Sequence, residues 1–413
     1  MQFSVSLAAA AAVALFQGAS AQLTTFPLCK GNPVPSYSQA ATQYPQIKNA
    51  ITKLNQFQFA TWWTDNNPSY FTEMQKLLNN CNDSSVPTVI VYGLPNKDCK
   101  AAFSNLGTNR DADSYSKFIS DLADLVGTRP VNYIFEPDAL SLSLEEPCAA
   151  NSGYLDNMMA TLPLLTDGNK NASVYVDVGY WSFKTDELTG MVAQAIKQLT
   201  SKTAAGASAI RGISLGTSNY RTTSDMVALC KKFNEATTKL MKKGDFKCVV
   251  DTSRNYLGPA AGTGEWCNNR YAAIGVPPTS NTSNDLIDYF LWLKTPGESD
   301  GQCNTPEITS DALKNGPAAG QFFEKAFSLM WDRGYFVDKK LGEKLNEFSI
   351  DVDQIKQGGN TSWVAIGIIA ACCIILIVAG VLIKRRNDAK QGRARNARTI
   401  DAEAAVRKPY LSL

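Results

Sequence analysis

The sequence predicts a distorted TIM-like (β/α) barrel of about seven parallel strands, followed by one transmembrane helix near the C-terminus. Three observations carry this reading. Short apolar runs alternate with amphipathic stretches between Phe57 and Trp331. Each run ends in polar or aromatic residues rather than at a hairpin turn. A separate apolar run of 21 residues, Trp363 to Ile383, has no polar face and is long enough to cross a bilayer.

The strands are expected at Phe57 to Trp63, Thr88 to Tyr92, Val131 to Phe135, Ser173 to Val176, Gly212 to Leu215, Lys247 to Val250 and Tyr289 to Leu293. Between them lie amphipathic helices at Ser114 to Leu125, Tyr154 to Leu165, Thr185 to Leu199, Ser224 to Met241 and Ala318 to Trp331. The clearest strand is Val131 to Phe135. It holds strand formers with no Gly or Pro, and Pro137 stops it because proline cannot extend a central ladder. Polar tips on seven successive strands favour a barrel mouth. A doubly wound sheet would gather its site at one switch point and usually carries a Gly-rich phosphate turn, which is absent here.

Composition narrows the chemistry. The chain has 413 residues, a formal net charge of +2 and no histidine. The charge gives no signal for nucleic acid. The lack of histidine excludes His-based metal sites, the Ser-His-Asp triad and Cys-His nucleophiles, so acid–base work falls to carboxylates. Residues 1–21 fit a secretory signal, with an apolar core from Leu7 to Phe16 and a small-residue cleavage site at Ala19-Ser20-Ala21. Residues 22–350 form the catalytic domain in this reading, 351–362 a polar stem, 363–383 the membrane helix and 384–413 a basic tail. The tail carries nine Lys or Arg against three acids, which orients it to the cytosol and the bulk of the chain outside the cell, at the plasma membrane. The bilayer is therefore an expected partner, through a single helix, and the chain is expected to be monomeric. Eight of the ten cysteines lie between the two apolar segments, as disulfides would. Asn82, Asn171 and Asn281 each open a glycosylation sequon, as does Asn360 close to the membrane.

The strand tips supply Asp65, Asp98, Glu136, Asp138, Asp177, Asp251, Glu298 and Asp300. So many carboxylates around one mouth cannot all ionise cheaply. At least one keeps its proton near neutral pH, which is the condition for a general acid. A metal site is the competing reading, but the tips offer no close, repeated ligand spacing, so neither metal nor cofactor is expected. The working partners of Asp138 are expected at other strand tips, which leaves Glu136 a supporting role. Aromatics accompany the acids: Trp62, Trp63, Tyr92, Tyr180, Trp181, Tyr220, Trp266 and Trp292. Trp292 and one of the Trp62–Trp63 pair are expected in the core. Trp63, Trp181 and Trp266 are assigned to the substrate surface, where flat rings stack on sugars. Carboxylates and aromatics at a barrel mouth point to glycoside hydrolysis.

Four stretches then resemble the glycoside hydrolase family 6 cellulases. Val91-Tyr-Gly-Leu-Pro-Asn-Lys-Asp-Cys99 is similar to the family's V-Y-D-L-P-x-R-D-C, and Ile134-Phe-Glu-Pro-Asp-Ala-Leu140 to its I-E-P-D-[SA]-L. Tyr175-Val-Asp-Val-Gly179 resembles Y-L-D-A-G, and Leu291-Trp-Leu-Lys-Thr-Pro-Gly-Glu-Ser-Asp-Gly301 resembles W-x-K-P-P-G-E-x-D-G. Glu265-Trp-Cys-Asn268 adds the family's D-W-C-N. The resemblance implies cleavage of β-1,4-glucan with inversion. Asp138 would be the general acid, Asp98 the carboxylate that keeps it protonated, and Asp300 a remote base acting through water. Tyr92 would meet the distorted sugar ring, and Ser104 would help hold the attacking water. Asp177, Asn219, Lys294 and Glu298 would bind the glucan.

The chain departs from the family at Gly93 (for Asp), Glu265 (for Asp), Tyr180 (for His) and Gly216 (for Asn), which bears on subsites rather than on the acid pair. The resemblance pairs Cys99 with Cys148 and Cys267 with Cys303. Cys29–Cys81 and Cys230–Cys248 remain, a pairing that sequence alone does not fix. Only two residues separate Asp300 from Cys303, where tunnel-forming members carry a longer insertion. An open cleft and endo action are therefore expected. A cellobiohydrolase, or a surface glucan-binding protein without catalysis, are the alternatives.

Overall fold

The computed structural model describes residues 25–82, 84–259, 266–305, 308 and 310–345. The expected signal peptide, stem, membrane helix and tail lie outside these residues, as do Glu265 and Asn360. Among the described residues no helix is long and apolar enough to cross a membrane.

Seven parallel strands pair in sequence order: β1 (Thr61–Thr64), β2 (Thr88–Tyr92), β3 (Val131–Phe135), β4 (Ala172–Val178), β5 (Gly212–Leu215), β6 (Lys247–Asp251) and β7 (Ile287–Leu291). The helices are α1 (Pro35–Gln43), α2 (Lys48–Leu54), α3 (Tyr70–Asn80), α4 (Ala112–Val126), α5 (Ala139–Glu145), α6 (Pro147–Asn151), α7 (Tyr154–Thr166), α8 (Asp186–Leu199), α9 (Thr223–Met241), α10 (Glu324–Asp332) and α11 (Tyr335–Asp338).

Alternation along the strands separates two cores. Val89, Val91, Tyr133, Phe135, Val174, Val176, Ile213, Leu215 and Val250 face outward, against apolar residues of α3, α4, α7, α8 and α9. Ile90, Ile134, Tyr175, Val249, Tyr289 and Leu291 face inward, joined by Trp62 and Tyr92. That inner cluster unites the first two strands with the last two, so the sheet curls until its edges face each other. The seam is stitched rather than laddered: the Ala60 N–H donates to the Trp292 carbonyl at 3.1 Å, and the Trp62 indole to the Leu293 carbonyl at 3.1 Å. A third core, in which Tyr37, Ile51, Phe59, Trp292, Phe327, Trp331 and Phe336 meet, covers this seam with α1, α2, α10 and α11. The barrel is therefore incompletely closed.

The five expected helices and seven expected strands are present, with some bounds shifted; the first strand begins at Thr61 rather than Phe57. The helix expected from Ala318 begins only at Glu324. Residues 320–323 instead bond to the 297–299 loop, through Gly320 N–H to Ser299 O at 3.0 Å and Phe323 N–H to Gly297 O at 2.7 Å. The last strand ends at Leu291 rather than Leu293 because the Trp292 carbonyl turns to the seam. Helix α3 was not expected. Four disulfides, Cys29–Cys81, Cys99–Cys148, Cys230–Cys248 and Cys267–Cys303, match the pairing above.

The structure corrects one assignment. Trp63 is fully buried on the outer face of β1, packed on Tyr70 at 4.5 Å and Phe118 at 5.3 Å. Its indole donates to the Phe118 carbonyl at 3.1 Å. The strand period of two turns Trp62 inward instead, edge-on to Tyr92 at 5.7 Å. Trp63 is a core residue, and Trp62 is the tryptophan that β1 offers to the mouth. Trp63→Phe should lower the free energy of unfolding by about 2 kcal/mol, through lost packing and the lost indole hydrogen bond. Trp62→Phe should cost less than half of that. Urea midpoints of the two variants decide the matter, and equal losses would return Trp63 to the surface.

Candidate active site

The carboxyl ends of β2, β3 and β4 bring one group of acids together. Asp177 is the next-to-last residue of β4, on its inner face, and is buried. One of its oxygens accepts the Asp138 backbone N–H at 2.8 Å, and the other accepts the Thr217 hydroxyl. Thr217 is held in turn by Ser214 at 2.9 Å. Asp138 begins α5 with a left-handed backbone, φ +66°, which frees its carboxyl from capping its own helix. Burial pushes the Asp138 carboxyl well up, and Asp177 and Asp98 push it further. Burial also raises Asp177, to about 7, despite its hydrogen bonds. Two carboxyls so placed hold a proton between them at neutral pH.

Asp98 lies in the turn after β2, with φ +55°. Its carboxylate accepts the Ser104 N–H at 2.7 Å. Burial raises Asp98, against the pull of backbone N–H groups from residues 101–104. Burial raises the phenol of Tyr92, the last residue of β2, and Asp98, Asp138 and Glu136 raise it further. A pocket here is lined by Tyr92, Lys97, Asp98, Glu136, Asp138 and Tyr154. Lys97 is buried and committed to Asp65, with its ammonium 5.3 Å from the Tyr92 ring centroid.

The ends of β5, β6 and β7 assemble a second group around Asp300. Arg254 donates to both of its oxygens at 2.9 Å, Tyr220 to one at 2.5 Å, and the Asn268 N–H at 2.9 Å. The Lys294 ammonium stands 3.7 Å away. Burial pushes the Asp300 carboxyl up, but Arg254, Lys294 and these donors outweigh it and hold it below the usual carboxylate range. Asp251 ties the three strand ends together, accepting N–H groups from Ser218 and Ser253 at 2.9 Å and from Leu293 and Lys294 at 3.3 Å.

The remaining expected residues fall around these two groups. Asn219 is nearly buried, and its amide donates to the Thr217 carbonyl at 3.0 Å. Trp181 is partly exposed beside Tyr180, at 5.4 Å. Trp266 is 37% exposed. Glu298 turns toward α1, accepting the Ser36 hydroxyl at 2.8 Å, and burial raises its carboxyl. Asn82, Asn171 and Asn281 are exposed. Among the described residues no cluster suited to a metal ion is present. Sequence reasoning missed Arg254 and Thr217 as site residues. Arg254 lies three positions past Asp251, at a strand tip like the acids, and only its pairing with the distant Asp300 marks it as a site residue.

Glu136 also lines the pocket beside Asp138 and is fully buried. Its carboxyl accepts the Gly93 N–H at 3.0 Å and the Tyr115 hydroxyl at 2.9 Å, and burial lifts it from 4.5 to about 7 although Lys97 opposes. The folded chain thus keeps a proton that the unfolded chain releases near pH 4.5. The stability this lends is full below that pH and is lost as pH rises through about 7, some 3 kcal/mol in all. Glu136→Gln keeps an acceptor oxygen for Gly93 and Tyr115 and removes the titration. Its unfolding free energy should be flatter than the wild type's between pH 5 and 8 in urea titrations. An unchanged slope would place the raised carboxyl elsewhere.

With this geometry in view, comparison with known proteins is direct. The family model described as glycosyl hydrolases family 6 matches residues 32–333. Endoglucanase A of Cellulomonas fimi is 32% identical over 242 residues, 58% of this chain and 45% of its own length. A probable 1,4-beta-D-glucan cellobiohydrolase C of Aspergillus terreus is 29% identical over 282 residues, 58% of each chain. This chain thus spans about half the length of these relatives. Among solved structures, the endoglucanase Cel6 of Mycobacterium tuberculosis, in complex with a thio-linked cellobioside, is 27% identical with a TM-score of 0.61, covering 75% of this chain and 97% of that one. A GH6 enzyme of Orpinomyces sp. Y102 shares the fold, with a TM-score of 0.65 at 24% identity, over 75% of this chain and 97% of that one. The family match covers most of the chain and contains both carboxylate groups of the mouth, and the chain belongs to glycosyl hydrolase family 6.

Proposed function

We propose that this chain is an inverting glycoside hydrolase that cleaves β-1,4-glucan, with endo action favoured, and that it works outside the plasma membrane on the tether formed by residues 363–383. One observation carries the catalytic part. The two sides of the mouth push carboxyls in opposite directions: Asp138 upward, beside Asp177 and Asp98, and Asp300 downward, beside Arg254 and Lys294. Such divergence separates acid from base.

Asp138, protonated, donates to the leaving oxygen. Asp98, held by the Ser104 N–H, favours that proton and offsets charge on the sugar ring. Water attacks the opposite face of the ring, and Asp300, kept ionised, accepts its proton through intervening water. Tyr92 and Trp62 border the ring undergoing change, and Trp181 and Trp266 provide stacking surfaces. The short Asp300–Cys303 segment supports endo action. A cellobiohydrolase is the second reading, favoured by a contact of Phe103 with the loop that bears Asp300, 5.9 Å from the Trp266 ring.

Asp138→Asn removes the proton donor and should lower kcat on unactivated cello-oligosaccharide by about 10²–10⁴-fold. A near-wild-type rate would end the assignment. On soluble substituted cellulose the purified chain should lower viscosity early, and NMR of the first product should show the α-anomer. Binding without hydrolysis of any β-glucan would leave only a glucan-binding protein. Asp177→Asn removes a charge that raises Asp138. The alkaline limb of kcat/KM, set by the raised Asp138 carboxyl, should therefore move to lower pH, and a limb that moves up or stays would separate Asp177 from the acid.

A further inference from the structure

The barrel has a second polar end, opposite the mouth. Asn132, Ser173 and Asp288 are the second residues of β3, β4 and β7, and Arg211 immediately precedes β5. With Phe26, Asn171 and Tyr175 they line one pocket. The charges there are already paired. Arg211 donates to the two Asp288 oxygens at 2.6 and 3.0 Å, and the Tyr175 hydroxyl donates to Asp288 at 2.8 Å. The pocket therefore offers no net charge and suits a neutral polar group rather than an ion. Asn132 is the unbalanced member. It is 1% exposed, and its side-chain nitrogen has no hydrogen-bond partner among the described residues. A buried donor left unmatched is costly, so this one calls for an acceptor in the pocket.

Asn171 stands at the rim of the same pocket, exposed, one residue before β4. It shares the parity of Ser173 and of Tyr175, which faces the inner core. Its backbone N–H donates to the Asn169 side chain and its side-chain nitrogen to the Thr128 carbonyl, both at 2.9 Å, so it is fixed to the loop before β3. Asn171-Ala172-Ser173 is a sequon. A side-chain amide has two N–H groups, so a linked sugar can take one while the other keeps the Thr128 bond. The other two sequons sit in exposed turns that bond to themselves. The Asn82 side chain accepts from Ser84 and Ser85, and the Asn281 N–H donates to Thr279.

We propose that Asn171 carries an N-linked glycan whose first N-acetylglucosamine is seated in this pocket, where it accepts a hydrogen bond from the Asn132 side-chain nitrogen. This rests on the secretory reading above. The sugar is joined on the nascent chain, before the strand forms. The Asn171 nitrogen bonds the anomeric carbon of a lipid-pyrophosphate-linked sugar, the carbon–oxygen bond to the pyrophosphate breaks, and one amide proton is lost. After folding, the acetamido carbonyl and the hydroxyls supply the acceptors that the pocket lacks, and Phe26 gives the sugar an apolar wall. The seated sugar then closes the amino end of the barrel, and the mouth stays bare.

The test uses the full chain, made in a glycosylating yeast and solubilised in detergent. Peptide mass spectrometry reads occupancy at the three asparagines. An empty Asn171 overturns the proposal, and if Asn82 and Asn281 are empty too, the secretory reading falls with it. Peptide-N-glycosidase F cuts at the first sugar. On the native chain it should release the Asn171 glycan more slowly than those at Asn82 and Asn281, and on the denatured chain at similar rates. Asn132→Ala removes one hydrogen bond to the seated sugar and should speed native release at Asn171 alone, by about fivefold. Native release at Asn171 as fast as at the other two sites overturns the seat. Stability gives a reading free of the enzyme. Asn132→Ala should lower the urea midpoint of the glycosylated chain. In the Ser173→Ala background, where the sequon is lost and Asn171 kept, it should leave the midpoint unchanged or raise it, because there it only removes an unmatched donor. Equal effects of Asn132→Ala in the two backgrounds overturn the proposal.

Discussion

Everything at the mouth depends on how buried carboxyls are compensated. Burial alone would raise them all. The fold answers differently at different strand tips. Asp65 is given the Lys97 ammonium as its direct partner, and the pull of that cation on Glu136 does not offset burial. Asp251 is given backbone N–H groups from three strand ends, which makes it a knot rather than a reagent. Asp300 alone receives a guanidinium, a second cation and a phenol. Asp138 and Asp177 receive one another. A parallel sheet in sequence order makes this sorting possible, because every strand delivers its tip to the same end.

The sorting is held by backbone strain. Asp98, Glu136 and Asp138 all have positive φ, at +55°, +50° and +66°. Left-handed conformations cost about 1 kcal/mol or more for residues other than glycine, and persist only where surroundings over-determine them. Here each is pinned by a bond that the strain makes possible. The Glu136 carboxyl reaches Gly93 and Tyr115, the Asp138 N–H reaches Asp177, and the Asp98 carboxylate reaches Ser104. The turn also explains why two acids only two residues apart end in separate environments. Glu136 is turned back toward α4, whereas Asp138 is delivered to the mouth.

Much of this was legible in the sequence, for definite reasons. Strand β3 and strand β5 were legible to the residue because Pro137 and Gly216 punctuate short apolar runs. The strand-tip acids followed from residue type and order, whereas the Cys99–Cys148 and Cys267–Cys303 pairs followed only from the family resemblance. Helix α3 carries its own signal, with Met74, Leu77 and Leu78 buried on one face, but asparagines at both ends and Pro68 before it weaken that signal. The Trp62–Trp63 choice was not legible, because two adjacent tryptophans on a strand differ only in which face the sheet turns inward. Nor was Arg254, since a cation's value at a site depends on a carboxylate 46 residues away. Long-range pairs of this kind leave no local periodicity to read.

The departures from the family pattern read differently once side chains are placed. Gly93 was expected to matter for substrate subsites. Its N–H is instead a hydrogen-bond donor to the buried Glu136 carboxyl, and the space beside it is filled. A Cβ on Gly93 would stand 2.3 Å from the Phe118 ring, and so would force that ring to move. An aspartate at this position would therefore do two things at once. It would displace Phe118, which packs against Trp63 and backs β1, and it would bring another carboxylate next to Glu136, whose pKa burial has already raised. Glycine and Phe118 together lower the number of charges that the β2–β3 side of the mouth must tolerate. The substitution thus belongs to the electrostatics of the acid group as much as to the cleft, and the aromatic ring that replaces the lost side chain is what keeps β1 and β2 packed without it.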